Sequence, residues 1–330
     1  MKLLVTNFTF VLLLFTLILS GCSREHSNAV SWNEHAVDSS YTATLSLDGR
    51  YAIVSSIHHG LSFWDVEKNA LKYQWSHQGS DNNLVLVSAI SANNSHVLTA
   101  DRENFVLWDI ATGKAVGFYK VRESNIRDIA LSNDGKHILI GKSSGVVVHI
   151  TLSSGRRLEF LGHQEKINSV DMTANGRFAL TGSNDYVAYL WDTQSGQVIH
   201  RFNHPSRVTK VALDVQGRYI FTADSKKQAQ IWDMLTGKAI SRLQYAARQN
   251  VFSAVRFSPS GKFLATGAPS RKLTLWDVQT GEKQQSWTVA PRKNSRPKGA
   301  VVHSVTFIND ESQLLSESSS GMAEVWDIDK

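Results

Sequence analysis

The chain repeats one short sequence pattern along most of its length, and this periodicity constrains the fold more than any other feature. Six segments end in Trp-Asp, and the six pairs are Trp64-Asp65, Trp108-Asp109, Trp191-Asp192, Trp232-Asp233, Trp276-Asp277 and Trp326-Asp327. The gap from Trp108 to Trp191 is about twice the others, and a degenerate copy lies midway, with His149 in the tryptophan position. Counting that copy, the successive positions are 44, 41, 42, 41, 44 and 50 residues apart, which predicts seven units.

Each unit has the pattern of four short strands separated by turn residues. In the fourth unit the runs INSVDMT, FALTGS, YVAYLWD and VIHRF alternate with the turn segments ANGR, ND and TQSGQ. Short alternating or apolar runs bounded by such turns predict a four-stranded antiparallel meander. A glycine recurs in the first turn, as at Gly176, and another follows the third strand, as at Gly196, and glycine accepts a positive φ at little cost. The chain is therefore predicted to be all-β.

These units resemble the WD-repeat family, and the resemblance covers nearly all of the chain after its N-terminal segment. It implies a seven-bladed β-propeller, in which each repeat supplies a four-stranded blade around a central channel. The fourth unit has the fullest set of signature residues, namely Gly162-His163, Thr181, Asp185 and Trp191. In the family such residues form a buried hydrogen-bond relay, so His163 and Asp185 are interpreted as scaffold rather than as a catalytic pair. Elsewhere the set is incomplete, because the aspartate position holds Lys226, Ser270 or Ser320.

The two ends of the repeat region complete each other. The last unit stops at Lys330, after its third strand, whereas residues 29–37 (AVSWNEHAV) precede the first strand of unit one, which begins near Tyr41. We therefore predict that strand 29–37 supplies the outer strand of the last blade and closes the ring. Such pairing hides two sheet edges that would otherwise be open.

The first 28 residues predict export and lipid anchoring. Lys2 precedes an apolar stretch from Phe8 to Leu19, which is the layout of a secretory signal peptide, with an uncleaved anchor as the alternative. Leu19-Ser20-Gly21-Cys22 resembles the lipobox of bacterial lipoproteins, in which the cysteine thiol takes a diacylglyceryl group and the preceding segment is removed. The resemblance implies a signal peptide at 1–21, a lipidated N-terminus with a short tether at 22–28, and a propeller at 29–330. Two or more acyl chains on Cys22 would give a stable membrane anchor.

The residues next to Cys22 bear on where the protein lies in the cell envelope. Ser23 follows the cysteine, where enterobacterial lipoproteins of the inner membrane have aspartate, so the resemblance implies the periplasmic side of the outer membrane. Residues 23–28 span about 20 Å at full extension, so the ring is expected to lie close to the membrane. Cys22 is the only cysteine, so no disulfide is predicted and the hydrophobic core must stabilise the fold.

The sequence contains no motif of a familiar catalytic or metal-binding chemistry. The twelve histidines are scattered, and no HExxH, CxxC, GxSxG or phosphate-binding loop occurs. We therefore predict no catalytic residue, no metal and no cofactor apart from the covalent lipid on Cys22. The net charge is +6 without a block of five like charges, which argues against nucleic acid as a partner.

Basic residues are predicted to gather on one sector of the propeller. In WD-repeat propellers the turns between the second and third strands share one rim with the loops that join successive blades. The candidate partner-binding residues on that rim are Lys226, Lys227, Arg271, Lys272, Arg292, Lys293, Arg296 and Lys298, the last four in the insertion APRKNSRPKGA at 290–300. They are either solvated surface charges or a docking patch for an acidic partner.

The sequence favours a monomeric, membrane-anchored, non-catalytic scaffold that binds periplasmic or outer-membrane proteins. Two alternatives stay open. The first is a binder of glycans or anionic polymers, which salt-sensitive retention by peptidoglycan would indicate. The second is an enzyme with a site in the channel, which three or more inward-facing histidine, aspartate or glutamate residues, or a bound metal, would indicate.

Overall fold

The computed structural model describes residues 29–37, 39–77, 84–245, 251–292, 295–296 and 298–329. These residues form 28 strands and seven separate four-stranded sheets, with no helix among them. Each sheet is one blade of a ring, so the chain is a seven-bladed β-propeller, as the repeat spacing predicted.

The first four blades follow the chain in order, with the four strands of each blade labelled a to d from the inside outward. Blade one comprises β2 (Ser40–Leu45), β3 (Tyr51–Ser56), β4 (Gly60–Asp65) and β5 (Ala70–Trp75). Blade two comprises β6 (Val87–Ile90), β7 (His96–Ala100), β8 (Asn104–Asp109) and β9 (Ala115–Lys120). Blade three comprises β10 (Ile126–Leu131), β11 (His137–Lys142), β12 (Val147–Thr151) and β13 (Arg156–Phe160). Blade four comprises β14 (Ile167–Met172), β15 (Phe178–Ser183), β16 (Val187–Asp192) and β17 (Val198–Asn203).

The remaining blades include the one that closes the ring. Blade five comprises β18 (Val208–Leu213), β19 (Tyr219–Asp224), β20 (Ala229–Asp233) and β21 (Ala239–Arg242). Blade six comprises β22 (Ala254–Phe257), β23 (Phe263–Gly267), β24 (Lys272–Asp277) and β25 (Lys283–Thr288). Blade seven comprises β26 (Val302–Ile308), β27 (Gln313–Ser318), β28 (Met322–Asp327) and, on its outside, β1 (Ser31–Glu34).

The closing strand pairs as predicted, although it is shorter than the segment 29–37. β1 runs antiparallel to β28, with Ser31 opposite Val325 and Glu34 opposite Met322. The N-terminal strand therefore completes the sheet that the C-terminal strands begin. This pairing joins the two ends of the ring and leaves no open seam between them.

The hydrophobic core lies between the blades. Seven clusters of buried apolar side chains exist among the described residues, and each draws its members from two adjacent blades. Between blades one and two, for example, Trp75 stacks on Trp108 with ring centroids 4.7 Å apart. Successive side chains of a strand point to opposite faces of its sheet, and the inner strands have buried side chains on both faces, as in β3. Each blade therefore has two apolar faces, one for each neighbouring blade.

Turns and loops form two rims. The predicted turn glycines have positive φ, as at Gly176 (71°) and Gly196 (75°). On the opposite rim the b–c turn of each blade lies against the loops that join blades, as when Asn184 donates its backbone N–H to the carbonyl of Lys166 over 3.0 Å. We call this side, made of the b–c turns and the d–a loops, the upper rim.

Candidate functional site

The upper rim of blades six and seven brings two of the predicted basic segments together. Ser270, in the b–c turn of blade six, forms a parallel β-bridge with Ala300, at the end of the 290–300 loop. The loop folds back on itself, because Arg292 donates its backbone N–H to the carbonyl of Gly299 over 3.1 Å. The exposed basic residues on this part of the rim are Lys272, Arg292, Arg296 and Lys298. Lys293 lies outside the described residues.

Arg271 differs from these residues, because its side chain is half-buried and already engaged. Its Nε donates to the carbonyl oxygen of Val289 over 2.8 Å. Its charge also acts on Glu324, a carboxylate on β28 that accepts the backbone N–H of Ala290 at 3.1 Å. Burial raises the pKa of Glu324 to about 7, although the Ala290 hydrogen bond and the Arg271 charge oppose the shift. Arg271 and Glu324 therefore hold the base of the 290–300 loop.

A second buried ionisable pair fixes the segment after the closing strand. His35 Nδ1 lies 2.5 Å from Glu317 Oε1, and both side chains are fully buried. The imidazole of His35 also stacks on the indole of Trp64, with ring centroids 4.6 Å apart. Removing one partner of such a pair leaves the other charge or dipole buried without compensation. The pair therefore ties the N-terminal segment both to blade seven and to blade one.

The predicted group Lys226-Lys227 is not joined to the other two basic segments by any contact between described residues. These lysines are exposed on the b–c turn of blade five, and the buried carboxylate of Asp224 accepts both of their backbone N–H groups, at 2.8 and 3.0 Å. The adjacent Ser225 donates its N–H to the carbonyl of Arg207 over 3.0 Å. Arg242, on the outer strand of blade five, also donates from Nη2 to the carbonyl of Lys227 over 3.1 Å. The described hydrogen bonds of this turn therefore lead to blade four and to the outer strand of its own blade. The loop between blades five and six includes residues 246–250, which lie outside the described residues.

Blade four contains most of the relay that the resemblance implied. His163 Nδ1 lies 2.9 Å from Asp185 Oδ2, and His163 Nε2 lies 2.8 Å from Thr181 Oγ1. Trp191 is fully buried, but its indole N–H has no hydrogen-bond partner among the described residues. Its ring instead stacks on Phe160 with centroids 4.6 Å apart and planes 3° apart, and this packing sets its orientation. Histidine, threonine and aspartate are thus joined, and the tryptophan is not.

Two further relays exist among the described residues, and each joins a histidine, a threonine and a tryptophan. In blade five Thr222 Oγ1 lies 2.9 Å from both His204 Nε2 and Trp232 Nε1, and His204 Nδ1 lies 3.7 Å from Asp224. The aspartate stands two residues after the threonine, whereas in blade four it stands four residues after. The signal in the sequence was the shared spacing, since His163–Thr181–Trp191 and His204–Thr222–Trp232 have identical intervals.

The third relay lies in blade two. Thr99 Oγ1 lies 2.9 Å from both His77 Nε2 and Trp108 Nε1, and Asp101 Oδ2 lies 3.5 Å from His77 Nδ1. Burial lowers the pKa of His77 and of His204, although the neighbouring aspartates oppose the shift, so both imidazoles are neutral at neutral pH. A neutral imidazole with its proton on Nδ1 accepts the threonine O–H at Nε2, while the threonine oxygen accepts the indole N–H. Asp101, His77 and Thr99 have the order of a catalytic triad, but their side chains connect the strands of a blade.

Blade three is the degenerate one, but the prediction that His149 occupies the tryptophan position was wrong. Ile150 pairs with Ile138 as Trp191 pairs with Ala179, so that position on β12 holds Ile150. The residue before it is His149. Its side chain is buried and stacks on His137 with centroids 5.3 Å apart, and neither ring nitrogen has a hydrogen-bond partner among the described residues. Burial, together with the charges of His137 and Arg156, lowers the pKa of His149 to about 4. The ring therefore packs as a neutral aromatic group.

The central channel contains charged side chains from several inner strands. Asp128, Asp171, Lys210, Arg256 and His303 line a cavity of about 220 Å³. The two aspartates join neighbouring blades, since Asp128 accepts the backbone N–H of Val170 and Asp171 that of Leu213, at 2.9 and 2.7 Å. Burial raises the pKa of Asp171 and lowers that of Arg256, and each partly offsets the other. Three inward-facing acidic or histidine residues are thus present, but among the described residues no three such groups are placed to hold a metal ion.

The predicted signal peptide, Cys22 and the tether at 22–28 lie outside the described residues. Within the part of the chain that is described, no helix has the length and apolar character needed to cross a membrane.

The fold and the relays define the class: this is a closed seven-bladed β-propeller with histidine–threonine relays inside its blades. A family model described as WD domain, G-beta repeat matches residues 155–192, 196–233 and 241–277. Each match runs from the outer strand of one blade to strand c of the next, so these segments of the propeller are WD repeats. No significant match was found among curated proteins. WD-repeat propellers are commonly scaffolds for protein interaction and are typically non-catalytic.

Proposed function

We propose that this protein is a lipid-anchored, non-catalytic interaction scaffold of the bacterial cell envelope. Acylated Cys22 would hold it on the periplasmic side of the outer membrane, and the upper rim would bind a periplasmic or outer-membrane protein. The observation that carries the proposal is the sector of blades six and seven, where the Ser270–Ala300 bridge holds a loop with several exposed cations on a rigid ring. A cationic surface of this kind favours encounter with an acidic partner.

The anchor is supported by the sequence alone. Leu19-Ser20-Gly21-Cys22 follows directly on an apolar segment, and six residues separate Cys22 from Ala29, where the described structure begins. Cells of the producing bacterium grown with an alkyne-tagged fatty acid should incorporate the tag into the wild-type chain and not into Cys22→Ser. Density separation of the membranes should place the tagged protein with the outer membrane. Equal labelling of both chains would refute acylation at Cys22.

The partner-binding surface is tested by crosslinking in intact cells, followed by capture of the tagged, solubilised protein. Changing Arg292, Lys293, Arg296 and Lys298 together to serine or glutamine should reduce recovery of a reproducible envelope protein. A matched control changes four basic residues at the turns of the other rim: Lys114, Lys136, Lys238 and Lys283. Unchanged recovery in the first variant, or equal loss in the control, would refute this surface as the docking site.

The same exposed cations favour one second candidate, a binder of anionic envelope polymers. The two functions separate in a sedimentation assay with isolated peptidoglycan. If the protein sediments with peptidoglycan, is released as the salt concentration rises, and fails to sediment in the 290–300 variant, the basic sector of blades six and seven binds the polymer. Sedimentation of the variant equal to that of the wild type would leave the protein partner as the occupant.

A further inference from the structure

One backbone position recurs in most blades and requires a left-handed conformation. It lies at the end of the b–c turn, two residues before the strand-c residue that pairs with position 141, 182, 267 or 317 of strand b, and it has positive φ in four blades. Glycine occupies it in two of them: Gly145 (90°) and Gly321 (82°). In blades four and six the same position holds Tyr186 (71°) and Arg271 (68°). A side chain with a Cβ is strained there, and for a bulky residue this conformation is an outlier.

The two exceptions differ in what their side chains do. Arg271 donates a hydrogen bond to Val289 and acts on Glu324, so its side chain contributes to the structure of the loop. Tyr186 is 53% exposed, and its side chain makes no hydrogen bond and no ring contact with any described residue. A strained, exposed aromatic residue without hydrogen bonds or ring contacts is the pattern that accompanies recognition sites.

Tyr186 lies beside the cations of blade five. Its carbonyl oxygen accepts the backbone N–H of His204 at 2.8 Å, at the start of the short loop that leads to Arg207. Arg207 in turn accepts the N–H of Ser225, which places the loop against the turn of Lys226 and Lys227. The side chains of Arg207, Lys226 and Lys227 are exposed and form no ion pair with any described residue.

On the other side of Tyr186 lies a second exposed apolar residue. Gln164 donates its N–H to Asp185 over 3.0 Å, which holds the loop of residues 161–166 against the Tyr186 turn, and Leu161 in that loop is 67% exposed. The carboxylate of Asp185, in the Tyr186 turn, lies 2.9 Å from His163. Within the loop of residues 161–166 the exposed acidic residue is Glu165. We call Leu161, Tyr186, Arg207, Lys226 and Lys227 the Tyr186 surface.

We propose that the Tyr186 surface is a docking site for an extended segment of a partner protein in which carboxylates flank a large apolar or aromatic side chain. The ring of Tyr186 and the side chain of Leu161 receive the apolar group, and the cations of blade five receive the carboxylates. This inference rests on the proposed function, because the occupant is a protein. It adds a second site on blades four and five, distinct from the 290–300 sector.

The probe is a phage-displayed library of random 12-residue peptides, selected on the detergent-solubilised full chain. The enriched peptides should combine aspartate or glutamate with an aromatic or large aliphatic residue. Binding of an enriched peptide should weaken at least tenfold in Tyr186→Gly and in Lys226→Glu/Lys227→Glu, and should persist in Tyr186→Phe. The matched control is Trp32→Thr, which removes an aromatic residue that is 62% exposed on the outer strand of blade seven.

A thermal melt of the same proteins separates recognition from structure. Because glycine relieves the strain at φ 71°, Tyr186→Gly should melt at the wild-type temperature or above it, while losing the peptide. No enrichment, enrichment of peptides without acidic residues, or equal loss in Trp32→Thr would overturn the proposal, and so would a lower melting temperature in Tyr186→Gly. An envelope partner whose capture depends on the 290–300 loop and not on Tyr186 would leave the scaffold function in place and remove this site.

Discussion

The free energy of unfolding that is lost when a relay threonine is changed to valine depends on how many groups its hydroxyl is hydrogen-bonded to. In blade two, Thr99→Val would remove one hydrogen bond from each of two buried groups, the indole N–H of Trp108 and Nε2 of His77. Each such group costs about 1–3 kcal/mol, so the expected loss is about 2–6 kcal/mol. In blade four, Thr181→Val would remove a hydrogen bond only from His163, because the indole N–H of Trp191 has no hydrogen-bond partner among the described residues. The expected loss there is about 1–3 kcal/mol, roughly half as much.

Urea unfolding of the full chain, followed by tryptophan fluorescence, measures the difference as a shift in midpoint at constant slope. Thr222→Val serves as a replicate, because Thr222 also joins a histidine and a tryptophan and should match Thr99→Val. Hydrogen exchange then identifies the blade whose strands lose protection. If Thr181→Val proves as costly as Thr99→Val, the counting of unsatisfied groups is refuted, and so is the reading that stacking alone holds Trp191.

Three further predictions concern ring closure and pH. Gly321→Ala should make the closing segment sensitive to limited proteolysis, because the new Cβ would overlap the carbonyl oxygen of Ala36. The control Gly155→Ala has a similar positive φ but open space around the new Cβ. It should lower the unfolding free energy by only about 1–2 kcal/mol and leave the closing segment protected. The pKa of His149 falls from 6.5 to about 4 on folding, so the unfolding free energy should drop by about 3 kcal/mol as pH falls from 6.5 to 4, and His149→Phe should remove that drop. The pKa of Glu324 rises from 4.5 to about 7 on folding, so its contribution of about 3 kcal/mol is present below pH 4.5 and lost as pH rises to 7, and Glu324→Gln should remove this loss. In the wild type these two effects change the unfolding free energy in opposite directions as pH rises. Chemical unfolding at each pH should therefore show stability falling with rising pH in His149→Phe and stability rising with pH in Glu324→Gln. The same pH dependence in the two variants would contradict both assignments.

The fold could be predicted from the sequence because its determinants are local and repeated. The interval between tryptophans counts the blades even where Ile150 replaces the tryptophan, since blade three keeps its four strands and its turn glycine. Closure followed from a missing strand at one end and a spare strand at the other. Both inferences need strand order alone, and neither depends on the orientation of any side chain.

The relays could be predicted only in part, because they depend on side-chain orientation and turn length. A fixed position for the aspartate finds Asp185, whose carboxylate lies 2.9 Å from His163. It misses Asp224, which stands two residues after the threonine and lies 3.7 Å from His204. Tryptophan at the right position does not ensure a hydrogen bond, because the stacking on Phe160 sets the orientation of the Trp191 ring.

The contacts of the basic residues on the upper rim also could not be predicted from the repeat pattern. The repeat pattern places Lys226 and Lys227 on the upper rim, but it does not show which neighbours hold their turn. The described hydrogen bonds lead from that turn through Arg207 to Tyr186, rather than to the 290–300 loop. Nothing in a tyrosine predicts a positive φ. The signal was its alignment with the glycines of blades three and seven, which becomes readable once the position is known to be left-handed.

Departures from the repeat pattern therefore fall into two kinds with different consequences. Where the departure is buried, as at His149, the imidazole has no hydrogen-bond partner among the described residues, and the blade gains a dependence on pH without exposing a new side chain. Where it lies on the upper rim, as at Tyr186, the histidine, threonine and aspartate beneath remain joined and the new side chain is exposed at a cost in backbone strain. The propeller tolerates the second kind because adjacent blades bury the core on both sides of every sheet. The rim positions that break the pattern are thus the first places to seek the surface that binds a partner.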